Sequence, residues 1–168
     1  MSVYLLAGAR TASGTFLGSL NGQTAPQLGA VAIKGAVQRA GIDSKDIDEV
    51  FMGNVVSAGV GQAPARQATI FADLDNSIPA TTVNKVCGSG LKTIIMGAQT
   101  IKAGDNALVI AGGMESMSCA PHLLPATRGG IKFGNGKMLD SLTNDGLTDV
   151  YSQQPMGNCA EECVKKFN

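Results

Sequence analysis

Val83-Asn84-Lys85-Val86-Cys87-Gly88-Ser89-Gly90-Leu91 runs out of an apolar extended stretch straight into a helical pattern, and its reading decides the fold. Pro79 to Val86 is predicted as a strand that ends at the cysteine, bounded by turn residues. Beyond it, Leu91, Ile94, Ile95 and Ala98 recur at helical spacing and predict a helix that buries them, with Lys92, Gln99 and Lys102 at other angles and Gly104 past its end. Ala107 to Ala111 is then a continuous apolar run, the pattern of a strand covered on both faces. Upstream the alternation repeats. Val3 to Ala9 reads as a first strand. Thr24 with Gln27 offers a capping box ahead of Leu28, Val31, Ala32, Gly35 and Ala36, with Gly41 as the stop. Val50 to Val55 reads as the second strand and Ala65 to Phe71 as a short helix. Strand and helix in strict alternation imply an α/β chain with a largely parallel sheet.

Cys87 falls where the first helical N–H groups are unpaired and the helix dipole is positive, a setting that favours a thiolate. Gly88, Ser89 and Gly90 are small, so a sulfur there lies open to a substrate, and glycines permit both a tight strand-to-helix turn and close approach of a ligand to the backbone. The competing reading is an inert cysteine buried at the end of a core strand.

Composition narrows the classes. Thirteen Lys and Arg balance thirteen Asp and Glu over 168 residues, so net charge offers no case for nucleic acid or an anionic membrane. Twenty-two glycines with seven aromatic residues suit a turn-rich α/β chain. No apolar run approaches the ~20 residues of a membrane span, and Val3 to Ala9 is too short for a secretory core segment. With no export signal, the four cysteines are expected as free thiols.

Several stretches together resemble the thiolase family: Ala9-Arg10-Thr11-Ala12-Ser13-Gly14-Thr15-Phe16-Leu17-Gly18, Met52-Gly53-Asn54-Val55, Ala58 to Ala68, the Cys87 segment, and Ala111-Gly112-Gly113-Met114-Glu115-Ser116-Met117-Ser118. Asp145-Gly146-Leu147-Thr148-Asp149, Met156-Gly157 and Ala160-Glu161 continue the series in order, and the detail is that of the acetyl-CoA acetyltransferase branch. The resemblance implies the N-terminal half of a thiolase-like fold, a largely parallel mixed sheet with helices on both faces. Residues 1–115 would form that half and residues 116–168 the start of the inserted loop and oligomerisation region. It implies Cys87 as the nucleophile that becomes acetylated, and Leu147 and Met156 as substrate contacts. The substrates would be acetyl-CoA and acetoacetyl-CoA, with no metal and no cofactor. Partners would be a complementary C-terminal half and further copies in a homodimer or homotetramer, with no nucleic acid or membrane. The compartment would be the cytoplasm, or the mitochondrial matrix after removal of a presequence.

Thiolases are more than twice this long. The family's Gly-His-Pro histidine, Asn-Glu-Ala-Phe asparagine and second cysteine have no counterpart, since the single histidine, His122, matches none of them. Asn158 and Glu161 read as an N-cap and N3 pair for a helix faced by Ala160, Cys163, Val164 and Phe167. That helix is barely two turns old at Asn168, so the chain is expected to be part of a longer protein and inactive alone. Pro155 stands where many relatives carry His before Met-Gly, which removes one polar contact to the CoA side.

Other readings stay beside these. A 3-ketoacyl-CoA thiolase of fatty-acid breakdown shares the Cys87 motif, and an inactive half could serve only as an association module. Gly59-Val60-Gly61-Gln62-Ala63-Pro64 resembles a dinucleotide fingerprint, but Pro64 replaces the third Gly and the segment follows the second strand. Cys119, His122, Cys159 and Cys163 have the types of a zinc site without its usual spacing. Glu115 is expected to accept backbone N–H bonds near the active-site loops rather than act as a base. Lys85 is expected to be exposed or at an interface. From Ser116 to Gly136 the periodicity lapses into a long loop, of the kind that is usually functional or disordered.

Overall fold

The computed structural model describes residues 2–167. Its first helix, α1 (Ala25–Ala40), starts at the expected box: Thr24 N–H donates to Gln27 Oε1 at 2.8 Å and the Thr24 side chain accepts from the Gln27 backbone. It stops at Gly41, which takes the left-handed conformation with φ 64° and returns its N–H to the last turn. The 3-10 turn Ser44–Asp46 leads into β1 (Glu49–Gly53), then α2 (Pro64–Phe71), β2 (Ala80–Val83), α3 (Ser89–Ala103) and β3 (Val109–Gly113). These elements lie within one compact unit, Met1–Cys119, and Ala120–Asn168 form a second.

In the first unit β1 is the central strand, parallel to β2 with Val50 opposite Ala80 and Gly53 opposite Val83, and parallel to β3 with Glu49 opposite Val109 and Gly53 opposite Gly113. Side chains alternate across a strand, so β1 serves two layers. Val50 and Met52 enter a buried cluster with Ala25, Ala30 and Ile33 of α1, Ala65 and Ala68 of α2, and Met114. Gly53 turns to the other face, where α3 lies: a Cβ on Gly53 would stand 2.8 Å from the Cβ of Ser89. The sheet is thus parallel, with helices on both faces.

Three expectations are corrected here. The buried face of α3 is not the apolar stripe. Ser89, Thr93 and Gly97 are buried, whereas Leu91 is 65% exposed and Ile94 and Ile95 are also exposed. The small residues win because the helix sits against the backbone of the sheet: a Cβ on Gly97 would come within 2.7 Å of Val109 Cγ2, and the Thr93 hydroxyl reaches Gly112 O at 2.9 Å. Val3 to Ala9 forms no strand, since no neighbouring strand pairs with it. Tyr4, Leu5 and Leu6 lie exposed, and Arg39 Nη1 holds the segment by donating to Gly8 O at 2.7 Å. Finally, β3 is half-buried rather than covered on both faces.

The second unit pairs β4 (His122–Leu123) antiparallel with β5 (Leu139–Asp140). Fully buried Ser141 ties them to the preceding chain by donating its hydroxyl to Pro121 O at 2.6 Å. Between the two strands the chain is irregular and mostly exposed, apart from a 3-10 turn at Thr127–Gly129. A π-helical turn, Thr143–Leu147, precedes α4 (Met156–Phe167). Asn158 is therefore inside α4 and not its cap. The helix starts straight after Pro155, whose carbonyl accepts the Asn158 N–H at 2.9 Å, and the Asn158 side chain donates back to Gln154 Oε1.

Candidate active site

β2 ends three residues before the expected point, because the chain reverses over Asn84–Val86 instead of running straight to the cysteine. Val86 has φ 47°. For a β-branched residue this left-handed conformation is a genuine outlier, of the kind that costs on the order of 1–3 kcal/mol and persists only where its surroundings over-determine it. The surroundings are polar. Val86 N–H donates to Asn84 Oδ1 at 2.9 Å, and Val86 O accepts from the Ser89 hydroxyl at 2.6 Å and from the Ser89 N–H at 3.0 Å. Ser89 Oγ in turn accepts the Lys85 N–H at 2.8 Å.

This turn delivers Cys87 one residue ahead of Gly88, the N-cap of α3. In this chain its thiol is free and exposed, unlike the buried cysteine of the competing reading. Gly88 has no side chain with which to cap the helix; the Gly88 and Ser89 N–H groups turn back to Lys85 O and Val86 O, and the positive end of α3 lies beside the cysteine. Lys85 is exposed, as expected. Two surface depressions elsewhere, one along α1 and α2 and one between Ser2–Leu5 and α3, do not include Cys87. The thiol sits on open surface.

Glu115 takes the structural part expected of it. Its carboxylate accepts from Val55 N–H at 2.9 Å, Val56 N–H at 3.2 Å and the Asn54 amide at 2.7 Å, fixing the loop that leaves β1. Burial raises the carboxyl above the usual glutamate value, against the lowering pull of those two N–H groups. Asn54 is buried and its Oδ1 finds no hydrogen-bond partner among the described residues. The sequence alone assigned no role to Asn54 or Asn84 and marked Ser89 only as a small residue beside the sulfur. For Asn84 a signal existed: an Asn two residues before a tight turn bonds forward to the backbone.

The Gly59–Pro64 loop is braced by Gln67, whose side chain donates to Val60 O at 3.1 Å and Gln62 O at 2.8 Å, while Ala65 N–H donates to Thr82 Oγ1. In the second unit Leu147 closes the π turn and is 37% exposed, and half-buried Met156 opens α4. Among the described residues no group of three or more His, Cys, Asp or Glu side chains is placed to hold a metal.

Residues 3–168 match the thiolase N-terminal domain. The chain belongs to the thiolase family. Among its relatives, a cytosolic acetyl-CoA acetyltransferase of Gibberella zeae is 58% identical over 162 residues, which is 96% of this chain and 41% of that protein. The acetyl-CoA acetyltransferase of Cupriavidus necator is 52% identical over 98% of this chain and 42% of its own length. A mitochondrial acetyl-CoA acetyltransferase of Mus musculus is 50% identical over 99% and 39%. A thiolase of Ascaris suum, solved in complex with coenzyme A, superposes with a TM-score of 0.93 at 45% identity, covering 98% of this chain and 42% of that one. This thiolase chain thus spans about two fifths of the length of the relatives it matches, and its fold is that of the thiolase N-terminal domain.

Proposed function

We propose that this chain supplies the nucleophile of an acetyl-CoA acetyltransferase. The observation that carries the reading is the exposed Cys87 thiol at the open N-terminus of α3, held there by a strained turn. The Cys87 thiolate attacks the carbonyl carbon of acetyl-CoA; the tetrahedral oxyanion collapses, the bond to the CoA sulfur breaks and CoA leaves, giving acetyl-Cys87. A second acetyl-CoA, deprotonated at its α-carbon, attacks that thioester to form the new C–C bond. Acetoacetyl-CoA departs and the Cys87 thiolate is regenerated; the reverse reaction is thiolysis. The Cys87 N–H serves as one oxyanion donor. Leu147 and Met156 contact the substrate.

The base, the second proton-transfer cysteine and the second oxyanion donor come from a complementary C-terminal half, and the assembled enzyme is a homodimer or homotetramer. No metal or further cofactor enters, since the CoA thioester is itself the substrate. In domain terms, residues 1–115 carry the nucleophile and residues 116–168 begin the oligomerisation region. The names of the relatives support acetyl-CoA acetyltransfer over longer-chain thiolysis; with a cytosolic and a mitochondrial form among them, they support the cytoplasm or the mitochondrial matrix as the compartment.

The test mixes this chain with the portion of the Cupriavidus necator enzyme beyond its matched part and assays acetoacetyl-CoA thiolysis. Turnover by the mixture, none by either part alone and none with Cys87→Ala is the expected result. Equal turnover with Cys87→Ala overturns the assignment.

A further inference from the structure

The Val86–Cys87 peptide is a single plane, so whatever fixes the Val86 carbonyl also fixes the Cys87 N–H, which points the opposite way. Two donors from one residue converge on that carbonyl, the Ser89 hydroxyl at 2.6 Å and the Ser89 N–H at 3.0 Å. Ser89 is itself buried and hydrogen-bonded. It is 4% exposed, its Oγ also takes the Lys85 N–H, and its Cβ lies against the place where a Gly53 side chain would be. From the other side Asn84 holds the preceding peptide plane through the Val86 N–H, and its amide reaches Val55 O at 3.4 Å. Val86 is half-exposed, so burial of its side chain does little to hold φ at 47°. The polar brace is therefore what keeps the turn from relaxing.

We propose that Ser89, backed by Asn84, is a positioning residue that aims the Cys87 N–H at a developing oxyanion. The inference rests on Cys87 being the nucleophile and adds the device that makes its backbone a useful donor. Preorganised donors matter only for reactions that build negative charge on a carbonyl oxygen. Acylation of a thiol does so; alkylation by displacement at a saturated carbon does not. Ser89→Ala and Asn84→Ala therefore separate aiming from simple access to the sulfur.

The experiment uses the 168-residue chain and follows modification of Cys87 and Cys119 by peptide mapping, with p-nitrophenyl acetate in one arm and iodoacetamide in the other. In the first arm the thiolate attacks the ester carbonyl and p-nitrophenolate leaves; in the second, iodide leaves. For Ser89→Ala we expect the ratio of Cys87 acylation to alkylation to fall by about tenfold or more, with removal of a whole donor, roughly 10²- to 10³-fold, as the ceiling. Asn84→Ala, at an exposed position, moves the ratio the same way and stands as the test should Ser89→Ala fail to fold. Cys119 keeps the parental ratio in both. Acylation and alkylation falling together, or neither falling, overturns the proposal while leaving the nucleophile in place. A parent chain whose Cys87 reacts no faster than Cys119 with either reagent overturns the nucleophile reading, and the aiming role with it.

Discussion

At the scale of single residues, Cys87 differs from Cys119 and Cys163 in its setting rather than in its exposure, and from Cys159, which is half-buried, in both. Cys119 and Cys163 are exposed too, but Cys119 Sγ donates to Asn21 O and Gln23 O and Cys163 lies within α4. Iodoacetamide is therefore expected to label Cys87 first, because its exposed sulfur stands on a small-residue turn at the start of α3. Peptide mapping under limiting reagent checks the order, and equal labelling of all four would contradict it. Glu115 makes a second expectation. Glu115→Ala strands two loop N–H groups and the Asn54 amide, a loss of about 1–3 kcal/mol for buried donors left without an acceptor, readable as a lower denaturation midpoint. Its pH dependence has a definite sign. The folded carboxyl titrates above its unfolded value, so the folded state binds more protons through that interval. This contribution to stability is complete below the unfolded value near 4.3 and is lost as pH rises through the folded one. Denaturant unfolding across that interval should show the decline in the parent chain and its absence in Glu115→Gln. Cys87 was legible as a candidate from its junction alone. Of the brace around it only Asn84 carried a sequence signal; Ser89 acts through backbone geometry that spacing does not encode.

At the scale of elements, legibility follows how local the cause is. Thr24, Gln27 and Gly41 define α1 by contacts within a few residues, and its limits follow from the letters. The orientation of α3 does not. Its apolar stripe would ordinarily mark the core side, yet the helix presses its Ser89, Thr93 and Gly97 face onto β1 and β3, a choice set by how closely the backbones approach. The missing strand at Val3 to Ala9 is the same lesson, because a strand exists only with a partner and sequence pattern alone supplies none. The close approach can be tested at Gly53. A Cβ there would lie 2.8 Å from Ser89 C and Cβ and 2.9 Å from Gly90 N, atoms of a helix start that cannot swing aside. Gly53→Ala is expected to destabilise the chain by about 1–3 kcal/mol, the usual cost of overpacking, and to disturb Cys87 labelling. At Gly22 the same Cβ meets nothing within 4 Å. Gly22→Ala should leave both the thermal midpoint and the labelling near parental values.

At the scale of the whole molecule, what stands out is apolar surface without cover. In the first unit Leu5 is 86% exposed, and Leu6, Leu91, Ile94 and Ile95 are exposed with it. In the second, Val164 and Phe167 lie exposed on α4. Scattered apolar side chains are normal on a surface, but an apolar helix stripe turned outward while small residues face the sheet is the arrangement of a helix with a further layer to bury against. The relatives that match this chain are more than twice its length, which is room for such a layer. The expected behaviour of the purified 168-residue material is therefore association. Light scattering at micromolar concentration should give a mass above the 17.1 kDa of one chain. Adding the complementary portion of a relative should replace that self-association with a defined complex and shield the Leu91–Ile95 turn from proteolysis. The stripe itself provides the control. Leu91→Glu with Ile95→Lys keeps the helix formers and leaves the buried Ser89, Thr93 and Gly97 face untouched, so it should reduce self-association without unfolding the chain and should abolish the defined complex. A cooperative monomer of the parent chain that gains nothing from the complementary portion would show that the outward stripe needs no cover, and the proposed second half would lose its physical support.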